Sequence, residues 1–274
     1  LILYGTLANT SVGELFIAGI GPGIVLALLF SAYCYFYSVY QGDSIALVEK
    51  TDNAEKWQAI KKALLPLGFP ALIVGGIYSG AVTPTEAASF SVLYAIVVEC
   101  LIYRELSFKD ITDAALSTGL ITAVVFVLVG MGQAFSWYIS FEQIPQDLLA
   151  PLNLEDASKE YVLFVIALAF FVGCMFVDSL VVLVILTPIF VPIVADVGLD
   201  PVLVGVMITL QMAIGSATPP FGCDIFTAIA IFNKPYLEVI RGTLPFILIL
   251  FFMSALLIFF PDIALLLRDI AFGD

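Results

Sequence analysis

The sequence predicts an all-α polytopic membrane protein that combines inverted repeats with a re-entrant helical hairpin and a broken transmembrane helix. Three observations predict this fold: an apolar composition, seven long apolar runs, and interruptions inside two of those runs. Hydrophobic residues make up 62% of the 274 residues and charged residues 12%, whereas about a quarter of a soluble domain is charged. A spanning helix needs roughly 20 apolar residues. Suitable runs lie at about 14–40, 63–80, 85–103, 112–138, 161–195, 202–231 and 240–262.

The basic residues predict which connections face the cytoplasm. All but Lys159 and Arg268 lie beside three connections, which the positive-inside rule places in the cytoplasm. The acidic connection 141–160 is then external. This alternation works only if 161–195 enters and leaves the membrane by the same face, so that run is predicted to be re-entrant. The cytoplasmic connections are 41–62, 104–111 and 233–241, with Lys50, Lys56, Lys61, Lys62, Arg104, Lys109, Lys234 and Arg241.

The length of the run 161–195 also favours a hairpin. At 1.5 Å per residue it is too long for one straight span and short for two full spans with a turn. We expect the turn within Gly173 to Ser179, next to Asp178, the only carboxylate of the run. A carboxylate exposed to lipid would cost several kcal/mol, so Asp178 should face protein or water. Asp178 either caps the second helix or has a functional role, and these two roles are compatible.

The stretch "GSATPPFGCD" at 215–224 predicts a break in the next apolar run. Pro219 and Pro220 have no N–H for the carbonyls of Gly215 and Ser216, so the helix must break at about 215–220. Freed carbonyls in hydrocarbon need protein, water or an ion. Together with the Ser216 and Thr218 hydroxyls, these carbonyls suit a small monovalent cation. The N-terminus of the following helix suits an anion. The alternative is a proline kink without a ligand.

Two segments of the chain repeat each other. "ELFIAGIGPGIVLALLF" (14–30) and "LEVIRGTLPFILILFF" (237–252) superpose at a fixed offset that places Gly19 on Gly242 and Pro22 on Pro245. The charge assignment gives the copies opposite orientations, and inverted repeats are typical of secondary transporters with a substrate site between the copies. The counterpart of 217–222 would fall just before Leu1. We therefore expect this chain to be the C-terminal part of a longer protein.

Other motifs have simpler structural interpretations. In "TPTEAA", Thr83 and Glu86 are predicted to cap a helix that begins at Pro84, and a catalytic role for Glu86 is not expected. "EKWQAIKKALL" predicts an amphipathic helix at the cytoplasmic interface. The resulting divisions are 1–40 (end of the first repeat), 41–62 (interfacial linker helix), 63–140 (scaffold and connecting helices), 161–232 (hairpin and broken helix) and 233–274 (last transmembrane helix and C-terminal tail).

The sequence offers little support for an enzyme. It has no His, and its four Cys residues show no metal-ligand spacing. A phosphate-binding Gly-rich loop with Lys is also missing, and the acidic net charge of -13 gives no reason to expect a nucleic-acid partner. The remaining classes are a transporter, a membrane-embedded structural subunit, and an ion channel. A channel needs a continuous polar pore, whereas polar groups here concentrate at two breaks.

Three segments resemble the large membrane subunit of the tripartite ATP-independent periplasmic (TRAP) transporters. They are "GGIYSGAVTPTEAASFSVLYAIVVECLIYREL" (75–106), "GCMFVDSLVVLVILTPIFVPIV" (173–194) and "ATPPFGCDIFTAIAIFNKPYLEVIRGTLPF" (217–246). The string Gly-x-x-x-Gly-x-x-Thr-Pro-Thr-Glu-Ala-Ala at 76–88 is the most specific part. The resemblance implies an elevator-type, sodium-coupled importer of small organic anions, usually carboxylates or sialic acids, in the bacterial inner membrane.

The resemblance also implies partners and site residues. A periplasmic binding protein would deliver the substrate, and a small four-helix membrane subunit would support this chain in the lipid bilayer. A one-protein sodium/dicarboxylate or anion symporter is the alternative. Phe221 and Cys223 depart from the smaller or more polar residues expected beside the break, which leaves the substrate open. Na+ is expected at Gly173, Asp178, Ser179, Gly215, Ser216 and Thr218, and substrate at Ser179, Thr218, Pro219 and Pro220.

Overall fold

The computed structural model describes residues 1–41, 53–142 and 157–273, and these residues form helices without any strand. Seven of the described helices are long and apolar enough to cross a membrane. In chain order the helices are α1 (Ile2–Leu7), α2 (Val12–Gln41), α3 (Asn53–Tyr78), α4 (Pro84–Ile96), a π-helical turn (Val97–Tyr103), α5 (Phe108–Phe141), α6 (Lys159–Phe176), α7 (Ser179–Asp196), α8 (Pro201–Ser216), α9 (Cys223–Phe232), α10 (Tyr236–Phe259) and α11 (Asp262–Phe272). The predicted all-α polytopic fold is confirmed.

The described chain divides into two compact units. The first contains Leu1–Tyr33 and Phe126–Asp274, and the second contains Cys34–Val125. In the second unit α3 packs on α4, where the Tyr94 hydroxyl donates to the carbonyl of Leu65 at 2.8 Å. Helix α3 includes the described part of the predicted linker helix and continues without a break through the next apolar run. The rest of that linker, 42–52, lies outside the described residues.

The first unit is built around α8. Residues Val202–Ile208 are all buried, so the first half of this helix is apolar and enclosed on every side. Its main partner is α6, which presents Ile166 and Phe170, both fully buried. Tyr4 on α1 also packs here, because Gly205 has no side chain to obstruct its ring. The Tyr4 hydroxyl donates to the Pro201 carbonyl at 2.9 Å.

Helices α6 and α7 fold back on each other as a hairpin. The rings of Phe170 and Phe190 lie 6.2 Å apart, although 20 residues of continuous helix would separate them by about 30 Å. At the open end of the hairpin, the Lys159 ammonium donates to the Gly198 carbonyl at 2.7 Å. Each helix has 18 residues and is about 27 Å long. Each helix is therefore nearly as long as the hydrocarbon core of a membrane is thick, about 30 Å. The sequence predicted shorter helices, because the run 161–195 is too short for two full spans with a turn.

The open end of the hairpin carries an ion pair that joins it to α11. Asp200 caps α8 by accepting from the Val202 N–H at 2.8 Å, and its other oxygen accepts from Arg268 at 2.5 Å. The two basic residues that the charge assignment left on the external side, Lys159 and Arg268, therefore both contact the connection that follows the hairpin. The two ends of the hairpin therefore lie close together, and the membrane face on which they lie stays a prediction.

The repeated segments have matching helix boundaries. When 223 is added to the residue numbers of the first copy, α1 falls inside α9. The start of α2 then falls one residue before the start of α10. The connection before each of these long helices contains an asparagine in the left-handed region, Asn9 with φ 51° and Asn233 with φ 52°. The opposite orientation of the two copies in a membrane stays a prediction.

Candidate functional site

The hairpin turn is two residues long, Val177 and Asp178, and it falls within the predicted range. Asp178 caps α7, since its Oδ1 accepts from the Leu180 N–H at 2.9 Å. The capping role is therefore confirmed. The carboxylate is nevertheless exposed, so one oxygen remains available to a ligand.

Gly173 and Ser179 frame the hairpin turn. A Cβ on Gly173 would lie 2.8 Å from Val182 Cγ1, so this glycine allows α6 and α7 to approach closely. Its carbonyl accepts from the Val177 N–H at 3.0 Å. Ser179 is the first residue of α7. Both predicted residues therefore lie at the turn.

The predicted break of the next helix is present, since α8 ends at Ser216 and α9 begins at Cys223. One expectation is corrected: the Gly215 carbonyl is not free, because the Thr218 N–H turns back and donates to it at 3.1 Å. The prediction considered only N–H donors four residues ahead, whereas the donor in this tighter turn lies three residues ahead. No described group donates to the Ser216 carbonyl. The Thr218 hydroxyl donates to the Ile214 carbonyl at 2.5 Å, which leaves its oxygen lone pairs available.

The hairpin turn and the helix break pack directly against each other, as predicted. A Cβ on Gly215 would lie 2.5 Å from Cys174 Cβ, so the two backbones meet at this glycine. The rings of Phe176 and Phe221 lie 6.1 Å apart and connect the two breaks at a second point. The predicted site residues of the turn and those of the break therefore belong to one region of the first unit.

Two residues that the sequence reasoning missed also belong to this region. Asp224, in the first turn of α9, accepts from the Ser216 hydroxyl at 2.6 Å across the break. The Tyr236 hydroxyl, from the start of α10, donates to the Pro220 carbonyl at 2.9 Å. Asp224 could have been found by the signal used for Asp178, a single carboxylate inside an apolar run. No sequence signal identifies Tyr236.

The site region is electronegative. Asp178 and Asp224 are both exposed, and neither forms an ion pair with a described residue. The ion pairs among the described residues lie elsewhere, between Lys234 and Glu238 and around Arg268. A carboxylate without an ion-pair partner in a transmembrane protein marks a candidate functional site.

Thr83 and Glu86 form a structural cap, as predicted, and lie in the second unit. The Glu86 N–H donates to Thr83 Oγ1 at 3.3 Å, and the Thr83 N–H donates to Glu86 Oε2 at 2.8 Å. This reciprocal pair is a capping box with Pro84 in the first turn of the helix.

Comparison with known proteins places the chain among transport proteins. Residues 1–263 match the family described as "Tripartite ATP-independent periplasmic transporter, DctM component". The chain is 58% identical over 273 residues to the ectoine/5-hydroxyectoine TRAP transporter large permease protein of Ruegeria pomeroyi, covering 100% of this chain and 63% of the relative.

Two further relatives also match nearly the whole chain. It is 56% identical over 272 residues to the ectoine TRAP transporter large permease protein of Halomonas elongata, covering 99% of this chain and 63% of the relative. It is 36% identical over 275 residues to the sialic acid TRAP transporter large permease protein of Vibrio cholerae, covering 100% and 64%. The chain thus spans just under two thirds of the length of these relatives.

Proposed function

Because the chain belongs to the family of DctM components of tripartite ATP-independent periplasmic transporters, we propose that it contributes the cation and substrate site of a sodium-coupled importer. The family comprises transport proteins rather than enzymes, and the chain is a multi-pass protein of the bacterial inner membrane. The observation that carries the proposal is the contact between the hairpin turn and the helix break.

The oxygen atoms at this contact suit Na+. The Ser216 carbonyl is without a described donor, and the Thr218 hydroxyl oxygen has lone pairs to offer. The carbonyl of Gly173 accepts one hydrogen bond, from the Val177 N–H, and a carbonyl oxygen has a second lone pair. Asp178 adds a negative charge beside them. Hard oxygen donors of this kind are those found for cations at broken transmembrane helices.

The shared core supports an elevator-type movement of the hairpin and the broken helix. Helices α6, α7 and α8 contribute most residues of one buried cluster, among them Phe170, Phe190 and Ile214. Separating buried side chains would cost their van der Waals contacts, so we expect these helices to move as one group. The turn and the break would therefore cross the membrane together, with bound cation and substrate between them.

The most similar relatives named here favour ectoine, or a close derivative, as the substrate. Ectoine is a cyclic amidine with a carboxylate and is zwitterionic at neutral pH. Its carboxylate fits the N-terminal end of α9, where the N-cap residue Gly222 provides no side-chain acceptor and the helix dipole favours negative charge. This proposal narrows the organic-anion class expected from the sequence to a zwitterionic carboxylate.

Delivery by a periplasmic binding protein and assembly with a small membrane subunit are part of the proposal. They distinguish it from a one-protein symporter, which would transport substrate without the binding protein. A channel would conduct without saturation and without a sodium gradient. Uptake into proteoliposomes that contain the full-length permease and its small subunit, measured with and without binding protein and sodium gradient, separates these three mechanisms.

Two sets of substitutions test the cation site. Thr218→Ala removes one hydroxyl oxygen but keeps the break, so we expect the sodium concentration for half-maximal uptake to rise about tenfold, a loss of about 1.4 kcal/mol. Pro219→Ala with Pro220→Ala restores two N–H donors, including one for the Ser216 carbonyl. We expect the helix to extend and sodium-coupled uptake to be lost.

Thr227→Ala is the matched control. Its hydroxyl also donates to a carbonyl four residues back, that of Cys223 at 3.1 Å, but it lies within α9 rather than in the break. We expect wild-type sodium dependence from this variant. If the Thr218 and double-proline variants also keep wild-type sodium dependence, the break is a kink without a bound cation and the proposed site is wrong.

A further inference from the structure

The Asp224 carboxylate differs from that of Asp178 in its surroundings. Asp178 is held by the Leu180 N–H at the end of its own helix. Asp224 instead reaches across the break to the hydroxyl of Ser216 at 2.6 Å. This bond uses Oδ2 and leaves Oδ1 without a described partner on an exposed side chain. Both carboxylates keep one oxygen without a described partner, and Asp224 is the one held at the break, beside Ser216.

A purely anionic substrate fits this position poorly. The nearest basic residue along the chain, Lys234, is already paired with Glu238 at 2.7 Å. Asp224 itself has no ion-pair partner among the described residues. An unpaired carboxylate inside a membrane protein is costly. A positive charge on the substrate itself would supply the missing partner.

The chemistry around Asp224 suits a planar, delocalised cation. An amidinium group carries two N–H donors in one plane, and such a fork pairs with a carboxylate as a guanidinium does. Phe221, three residues before Asp224, is 58% exposed, and its ring centroid lies 6.1 Å from that of Phe176. Cations lying over aromatic faces gain further attraction. Phe221, which differs from the smaller or more polar residues expected beside the break, can therefore contribute to binding a cation.

We propose that Asp224, held in place by Ser216 and flanked by Phe221, binds the cationic amidinium end of a zwitterionic substrate and thereby determines specificity. The inference rests on the proposed function and concerns the same site. Sodium occupies the oxygens of the hairpin turn and the break, and Asp224, in the first turn of α9, selects for a positive charge on the substrate.

The test is equilibrium binding of radiolabelled ectoine to the purified complex of full-length permease and small subunit, without binding protein, over a range of NaCl concentrations. Asp224→Asn keeps the shape of the side chain and removes its charge. We expect the Kd for ectoine at saturating NaCl to rise about tenfold or more, the effect of losing one charge-assisted pair. The NaCl concentration for half-maximal binding should stay at the wild-type value.

Two controls keep the result interpretable. Asp196→Asn makes the same change on an exposed carboxylate at the other end of α7, and its Kd should equal that of wild type. A ring carboxylate of similar size without the amidine should not displace ectoine from the wild-type complex. This displacement measurement needs no variant, so it tests the inference even if Asp224→Asn fails to fold.

The outcomes separate the two proposals. If wild type binds ectoine with sodium but Asp224→Asn keeps the wild-type Kd, or if the ring carboxylate competes as well as ectoine, the inference is wrong while the proposed function stands. If Asp224→Asn raises the sodium requirement instead of the ectoine Kd, Asp224 is a sodium ligand and the inference is overturned. If wild type shows no sodium-dependent ectoine binding, the proposed substrate is wrong and the inference falls with it.

Discussion

At the scale of single residues, Gly215 decides how closely the hairpin turn and the helix break approach. Its missing side chain leaves room for Cys174, whose Cβ would lie 2.5 Å from a Cβ at position 215. Gly215→Ala should therefore force the two backbones apart, with a cost of about 1–3 kcal/mol from overpacking. We expect a lower apparent Tm of the detergent-solubilised protein and a large loss of sodium-dependent uptake.

Gly242→Ala is the control for this prediction. Gly242 is also helical, and a Cβ there would meet no atom within 4 Å. Alanine is the better helix former by roughly 0.5–1 kcal/mol, so Gly242→Ala should hold or raise the apparent Tm. Equal effects of the two substitutions would show that the close contact at Gly215 is unimportant.

Features of the site that one residue determines through its own backbone chemistry could be predicted from the sequence. Pro219 and Pro220 lack N–H groups, and Asp178 prefers the first position before a helix, so the break and the cap were both predictable. Hydrogen bonds that depend on the path of the chain between two helices could not be predicted. The Ser216 to Asp224 bond and the Tyr236 to Pro220 bond depend on how the chain turns between α8 and α9, and no local pattern specifies that path.

At the scale of elements, the capping box of α4 provides a stability test outside the site. Thr83→Ala removes the side-chain acceptor for the Glu86 N–H and should cost about 1 kcal/mol. Thr118→Ala on α5 removes only a bond to a carbonyl in the same helix, and as an exposed change should stay within about 0.5 kcal/mol. Thermal unfolding of both variants checks the difference. Similar Tm values for the two would contradict a capping role.

The sequence predicted helix ends well where polar residues or prolines interrupt a helix, and poorly where a polar segment continues the same helix. Two interruptions by polar or proline residues, at 177–178 and 217–222, lie where the sequence placed them. By contrast, α3 begins ten residues before its apolar run at 63–80, because its polar first turns continue the same helix. Helix α11 was expected only as part of a tail, since its 11 residues are too few to span a membrane and apolar runs were the signal used.

At the scale of the whole molecule, the ion pair between Arg268 and Asp200 joins α11 to the start of α8. The side chains are 13% and 25% exposed, so the pair is largely shielded from water. Arg268→Met should leave Asp200 without its partner and cost about 1–3 kcal/mol, less than the loss expected for a fully buried pair. We expect a lower apparent Tm and easier proteolysis of the C-terminal helix.

The exposed pair of Lys234 and Glu238 gives the contrast. Both side chains are more than half exposed, and Lys234→Met should cost at most about 0.5 kcal/mol. Added salt should weaken this pair further and affect the Arg268 pair less. If Lys234→Met proves as destabilising as Arg268→Met, burial does not set the strength of these ion pairs.

The short path between α8 and α9 has a consequence for how such proteins diversify in evolution. Ala217–Gly222 lies between the end of α8 and the start of α9, so a substitution there that keeps the break can alter the chemistry of the site without lengthening either helix. Relatives whose names specify ectoine, sialic acid and C4-dicarboxylates align with 98–100% of this chain, so one framework accompanies several cargoes. We therefore expect differences in substrate among such proteins to be concentrated in this segment and at the position of Asp224.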